Sequence, residues 1–88
     1  MPQAKIVFTI HAKHKFENLP PRSIAIKHTD VLKAIENPDY KDLESDKPKV
    51  IVHKNLDTKH TLRVVYKEEN DIITVITFYP TRKGRYEK

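Results

Sequence analysis

Three apolar, β-branched segments in the second half of the chain, at residues 50–53, 62–66 and 72–79, constrain the fold more than any other feature. The spacers between them are short and rich in Asn, Asp and Lys, which is typical of hairpin connections. Adjacent segments are therefore predicted to pair as antiparallel strands. The last segment is apolar on both faces, which predicts a place inside the sheet rather than at its edge.

The first half of the chain predicts one strand followed by helices. Residues 5–10 alternate as a strand, with Ile6, Phe8 and Ile10 on one face, and residues 11–18 form at most two turns of helix before Pro20 and Pro21. A main helix follows, capped at Thr29 and Asp30 and ended by Asn37 and Pro38. Its apolar stripe consists of Val31, Leu32, Ala34 and Ile35. The polar residues 39–49 are predicted to be a surface loop.

Side-chain alternation assigns the strand faces. Within residues 62–67, Leu62, Val64 and Tyr66 share one face, so Arg63 lies on the other. In the last strand, Ile72, Ile76 and Phe78 are predicted to point at the helices, which leaves Thr77 and Tyr79 on the face that Arg63 shares. Candidate functional side chains thus gather on the sheet surface opposite the helices.

These patterns predict an α+β fold, in which one or two N-terminal helices pack on a curved antiparallel sheet of about four strands. The 88 residues suffice for one domain, with residues 1–4 and 82–88 as flexible ends. The chain has no cysteine, which fits a reducing cytoplasm, and no apolar run long enough to span a bilayer. Cytoplasmic localisation without membrane contact is the expectation.

The charge distribution points to an anionic partner. The net charge is +5, and residues 45–88 contribute +4 of it through ten basic and six acidic side chains. The basic end of the chain offers Arg82 and Arg85 for bidentate phosphate contacts, Lys83 as a point charge, and Tyr79 and Tyr86 for stacking. A solvated terminus, or a charged surface that only keeps the protein soluble, explains the same residues equally well.

The histidines supply candidate proton-transfer groups. His11 lies where a strand passes into a helix, and Lys13 follows it; His53 and His60 lie near strand ends. His11 and His14 are spaced i,i+3, but no third ligand has a recognisable metal spacing, so no metal is expected. The chain also lacks a glycine-rich phosphate loop and a GxSxG elbow, and no cofactor is expected.

The order of these segments resembles small domains allied to the RelE/ParE toxin superfamily, including BrnT-like proteins. The resemblance spans roughly residues 6–80 and rests on residues 8–12, 30–38, 62–66 and 75–79, with Arg82, Arg85 and Tyr86 imitating the basic segment after the last BrnT-like strand. It departs where BrnT-like chains carry Ser-Ala-Arg and this chain has residues 77–80, Thr-Phe-Tyr-Pro.

The resemblance implies a toxin-type, metal-independent endoribonuclease or RNA-interacting protein, acting on RNA or at the ribosome, with a protein antitoxin as partner. His11 would be the general base, Tyr79 a proton donor or stacking group, and Arg63 a phosphate ligand, with Lys13, Arg82, Lys83, Arg85 and Tyr86 contacting the nucleic acid. Two alternatives stay open. One is a non-catalytic basic module that binds nucleic acid or an acidic protein, and the other is a protein–protein adaptor.

Overall fold

The computed structural model describes residues 5–17 and 26–82, which contain two helices and five strands. In chain order they are β1 (Lys5–Phe8), α1 (Ile10–Glu17), α2 (His28–Glu36), β2 (Tyr40–Asp42), β3 (Lys49–Asn55), β4 (His60–Glu69) and β5 (Ile72–Arg82). The predicted α+β class is confirmed. Neither helix in these ranges has the length and apolar character that crossing a membrane requires.

The five strands form one mixed sheet in the order β1-β5-β4-β3-β2. The pairs β2–β3, β3–β4 and β4–β5 are antiparallel, of which the short spacers predict the last two, and β5 lies inside the sheet. The expectation of about four antiparallel strands needs two corrections: there are five strands, and β1 pairs with β5 in parallel. A parallel partner far away in sequence leaves no hairpin signal, so local pattern could not reveal it.

The strand β2 lies inside the stretch predicted to be loop. Its three residues pair with residues 51–53 of β3, with Tyr40 opposite His53. Asp39 secures this edge, because its backbone N–H donates to the carbonyl of His53 at 2.8 Å and its carboxylate accepts from the Asn55 N–H at 2.8 Å. A three-residue polar strand has too few apolar positions for an alternation pattern, which is why it was missed.

The turn from β1 into α1 depends on Thr9. Its hydroxyl oxygen accepts the Ala12 N–H at 3.1 Å, which is the geometry of a helix N-cap, and the hydroxyl donates to the carbonyl of Ile76 at 3.1 Å. The predicted strand at residues 5–10 is therefore two residues too long. Ile10 starts the helix instead of facing the core and is 74% exposed. Helix α1 has eight residues, slightly more than the two turns that were predicted as its upper limit.

Helix α2 begins at His28, one residue before the predicted cap at Thr29. The first turn is secured by Asp30, whose carboxylate accepts the Lys27 N–H at 2.9 Å. The helix ends at Glu36, just before Asn37 and Pro38, as predicted. Most of the linker predicted between the two helices lies outside the described residues.

The core lies between the two helices and one face of the sheet. Its buried members are Ala12, Ile26, Val31, Ala34, Ile35, Val52, Leu62, Val64, Tyr66, Ile73, Val75 and Phe78. In β5 the inward residues are thus Ile73, Val75 and Phe78 rather than the predicted Ile72, Ile76 and Phe78. The reason is a bulge opposite Val65 and Tyr66, which inserts Ile76 and reverses the alternation.

Candidate nucleic-acid interface

A row of four polar and aromatic side chains crosses the sheet face opposite the core. Tyr40 of β2 is in register with His53 of β3, His53 with Arg63 of β4, and Arg63 with Tyr79 of β5. Directly opposite residues on one face of a sheet have their Cβ atoms about 5 Å apart, so the four side chains are contiguous. The sheet itself therefore assembles the cluster, and the predicted proximity of Arg63 and Tyr79 is present.

The contact between His53 and Arg63 positions the guanidinium. Arg63 Nη1 lies 3.3 Å from His53 Nε2, and His53 is only 2% exposed. A guanidinium can only donate, so Nε2 accepts and the imidazole is neutral in this contact. Tyr40 packs on the other side, with ring centroids 5.3 Å apart. His53 is buried under its neighbours, and it serves as a support for Arg63 rather than as a group facing a ligand.

Tyr79 is flanked by two cations that come from different elements. The guanidinium carbon of Arg63 lies 6.0 Å from the Tyr79 ring centroid, and Lys15 Nζ lies 5.6 Å from it. Arg63 reaches the ring across the β4–β5 pair, whereas Lys15 reaches it from α1, which packs against β5. All three side chains are partly exposed. Lys15, Arg63 and Tyr79 together are called the Tyr79 platform below.

Helix α1 determines how His11 and Lys13 relate to this platform. His11 is four residues before Lys15, and residues at i and i+4 lie on the same helix face about 6 Å apart between Cβ atoms. His11 is exposed and stands one helical turn before the lysine that contacts Tyr79. Lys13 is exposed as well, but residues two apart do not face each other, so it is not on that face.

Asp42 is an acidic group whose charge interacts with that of Arg63. It lies opposite Ile51 on β3, two positions along from the pair of Tyr40 and His53. Hydrogen bonds from the side chain and backbone of Ser45 and from the Glu44 backbone lower the pKa of Asp42 to about 2, with a smaller contribution from the charge of Arg63. Asp42 is therefore ionised at neutral pH and is already engaged by its own turn.

Arg82 is not brought to the Tyr79 platform. It ends β5, three residues after Tyr79, and alternation places it on the side of Phe78 and Pro80. Its partner in register is His60 at the start of β4. Lys83, Arg85 and Tyr86, the other predicted contacts in the basic tail, lie outside the described residues, as do the predicted flexible ends apart from Arg82.

Three members of the cluster, Lys15, His53 and Tyr40, were not assigned to this site from the sequence. Lys15 gives no signal, because its contact with Tyr79 depends on how α1 docks on β5. His53 could have been found, since the hairpin between β3 and β4 fixes its pairing with Arg63 once the register is known. Tyr40 was hidden because β2 itself was not recognised.

Within residues 5–17 and 26–82 no group of three or more His, Cys, Asp or Glu side chains could hold a metal ion. Comparisons with protein-family models, with curated proteins and with solved structures found no match for this chain. The RelE/ParE-like assignment therefore stays a prediction, and functional inference depends on the geometry of the chain's own residues.

Proposed function

We propose that this protein binds single-stranded RNA at the Tyr79 platform. The observation that carries the proposal is a partly exposed aromatic ring with two cations, from different elements, at about 6 Å from its centroid. A nucleobase can stack on such a ring while Arg63 and Lys15 contact the phosphates that flank it.

The arrangement favours a single strand over a duplex. A duplex keeps its bases stacked on each other, so a protein ring on a sheet surface cannot reach a base face, whereas an unpaired base is free to stack. Arg63 is also held in place before any ligand arrives, because His53 accepts its hydrogen bond. A pre-positioned cation loses less side-chain entropy when it binds a phosphate.

An acidic protein is the alternative binding partner of these cations. An antitoxin of the kind that the resemblance implies belongs to this class. Protein interfaces usually have a contiguous apolar centre. Among the described residues the exposed large apolar side chains are Ile10, Tyr40, Leu43 and Ile72, and none of them belongs to the Tyr79 platform. An exposed ring with two cations beside it therefore supports RNA as the partner more directly.

The binding test uses a fluorescently labelled, unstructured RNA of about ten nucleotides and measures anisotropy at several salt concentrations. Tyr79→Leu is expected to weaken binding about 5- to 150-fold, the range for one lost stacking contact, while Tyr79→Phe keeps most of the affinity. Lys15→Gln and Arg63→Gln are each expected to weaken binding and to reduce the salt slope by about one.

Lys33→Gln is the matched control, because Lys33 is an exposed lysine on α2 and its loss changes the net charge equally. If Lys33→Gln weakens binding as much as Lys15→Gln, the affinity reflects overall charge and the platform is not the site. Equal affinity of Tyr79→Leu and wild type would also overturn the proposal. So would a failure of excess unlabelled RNA to displace the labelled strand.

A second candidate function is metal-independent endoribonuclease activity, and the observation that favours it is the position of His11 on the α1 face that carries Lys15. In this scheme His11 takes the proton of a ribose 2′-hydroxyl, whose oxygen attacks the adjacent phosphorus. The bond from phosphorus to the 5′-oxygen breaks, and the leaving oxygen takes a proton from the Tyr79 hydroxyl or from water. The products are a 2′,3′-cyclic phosphate and a 5′-hydroxyl end.

The cleavage test incubates the same RNA with protein and EDTA, with and without ribosomes, and resolves the products on a gel. His11→Ala is expected to abolish cleavage, since a proton acceptor contributes about 10²- to 10⁴-fold to rate. RNA affinity is expected to stay within about twofold of wild type. His14→Ala, three residues along the same helix, is the control. No cleavage in either condition leaves RNA binding as the function, and undiminished cleavage by His11→Ala rules out His11 as the base.

A further inference from the structure

A second basic site lies at the far end of the β4–β5 pair. A groove of about 440 Å³ is lined by Thr58, Lys59, His60 and Arg82. Three of these four residues are basic or imidazole side chains, and the fourth carries a hydroxyl. The turn between β3 and β4 supplies one wall and the last residue of β5 supplies the other.

The turn that carries this groove is held in shape by Asp57. Its Oδ1 accepts the backbone N–H groups of Lys59 and His60, each at 2.7 Å. The same carboxylate contacts Nδ1 of His60 at 3.1 and 3.2 Å. Because Nδ1 is engaged by Asp57, the ring is fixed in orientation and its Nε2 is the nitrogen left to face a ligand.

Among the described residues, Lys59 and Arg82 differ from His60 in having no acidic partner, since His60 contacts Asp57. Within residues 5–17 and 26–82 neither Lys59 nor Arg82 forms an ion pair. Arg82 and His60 are direct cross-strand partners, and no acidic residue among those that line the groove lies between them as a counter-ion. Asp57 does not fill that role for Arg82, since its oxygens are bound to the turn and to His60.

The groove is separate from the Tyr79 platform. Alternation along β5 puts Arg82 on the opposite side of the strand from Tyr79, and three residues of strand place them about 10 Å apart. The two sites share no side chain. A ligand in the groove therefore does not need the platform, and a ligand on the platform does not need the groove.

We propose that this groove is a phosphate-binding site. Arg82 offers two parallel N–H donors to a pair of phosphate oxygens, Lys59 adds a point charge, and the Thr58 hydroxyl donates to a further oxygen. Nε2 of His60 donates when the imidazole is protonated. The volume exceeds that of a bare phosphate ion, so the site accommodates a phosphate ester with part of its alcohol group.

The test titrates adenosine 5′-monophosphate into the full-length protein and follows backbone amide shifts by NMR, with adenosine as the control that lacks phosphate. The monophosphate is expected to shift the amides of residues 57–60 and of Arg82, and adenosine is expected to leave them unchanged. Arg82→Gln should weaken the binding at least about tenfold, and Arg82→Lys, which keeps the charge but not the paired donors, should weaken it less. Lys33→Gln should leave it unchanged.

The RNA assay described above separates the two sources of such a phosphate. If the wild-type protein binds the free monophosphate and Arg82→Gln does not, the groove is a site for phosphate esters. No response to the monophosphate, with RNA affinity reduced by Arg82→Gln, identifies a contact for the RNA backbone. If Arg82→Gln and Lys59→Gln change neither the binding of the monophosphate nor the affinity for RNA, the inference is wrong. Tyr79→Leu should disturb only the platform, so the failure of one site is distinguishable from the failure of the other.

Discussion

The hydrogen bond between His53 and Arg63 makes a quantitative prediction for His53→Leu. Leucine fills a position that is only 2% exposed with an apolar side chain of similar size. It removes the acceptor that lies 3.3 Å from the guanidinium. A hydrogen bond to a charged group contributes about 1.5–3 kcal/mol to the free energy of unfolding. Because Arg63 is partly exposed and water replaces part of the contact, we expect a loss of about 1.5 kcal/mol.

Urea unfolding followed by far-ultraviolet circular dichroism measures this loss, since the chain has no tryptophan to report it. For a small domain with a slope near 1.5 kcal/mol per molar urea, the midpoint should fall by about 1 M. A double-mutant cycle with Arg63→Met isolates the pair, and the expected coupling is about 1–1.5 kcal/mol. A coupling below about 0.5 kcal/mol, the usual error of additivity, would refute the assigned contact.

His53→Gln is the matched control, because its amide oxygen provides an acceptor in place of Nε2. It should recover part of the stability lost in His53→Leu. It should also recover RNA affinity, since a guanidinium held beside Tyr79 reaches a phosphate at a lower entropic cost. If Gln and Leu at this position behave alike in both measurements, His53 does not position Arg63.

Three further predictions concern the turns and caps that frame the sites. Thr9→Val should lower the free energy of unfolding by about 1–2 kcal/mol through loss of the α1 cap, and should weaken RNA binding because α1 carries Lys15; Thr9→Ser should be close to wild type by thermal melting. Asp42 has a lowered pKa, so its contribution to stability is present above about pH 4 and is lost as the pH falls towards 2. The gap in urea midpoint between wild type and Asp42→Ala should therefore narrow between pH 7 and pH 2, and a constant gap would contradict this. Asn70 and Asp71 have φ of 51° and 63°, as in a type I′ turn, where Gly is favoured at the second position. Asp71→Gly should therefore raise the melting temperature by a few degrees, and Asp71→Val should lower it. Equal effects of the two substitutions would exclude a type I′ turn.

Local sequence was sufficient for the elements that local sequence controls. The end of α2 follows from Asn37 and Pro38, and the hairpins follow from short polar spacers between β-branched segments. The shared face of Arg63 and Tyr79 follows from alternation. That assignment survived the bulge at Ile76 because both residues lie beyond it, on the same side of the irregularity.

The features that escaped prediction depend on contacts between distant segments. Parallel pairing of β1 with β5, the strand β2, and the approach of Lys15 to Tyr79 each need a partner that is absent from the local sequence. The prediction grouped Arg82 with Tyr79, although residues three apart in a strand point to opposite faces of the sheet. By contrast, the contact of Asp57 with His60 spans three residues in one turn, and an Asp followed by a His at i+3 is a local signal that could have been used.

The bond between the Thr9 hydroxyl and the carbonyl of Ile76 joins positions 67 residues apart. Because β1 pairs with β5 and α1 packs against β1 and β5, these N-terminal elements have a surface to dock on only when β5 is in place, and contacts of such long sequence separation form slowly. During synthesis on the ribosome, the three hairpin strands would therefore assemble before the N-terminal unit has a surface to join. Lys15 would reach Tyr79 in the last stage of folding, and the Tyr79 platform would be assembled only once the whole domain is complete.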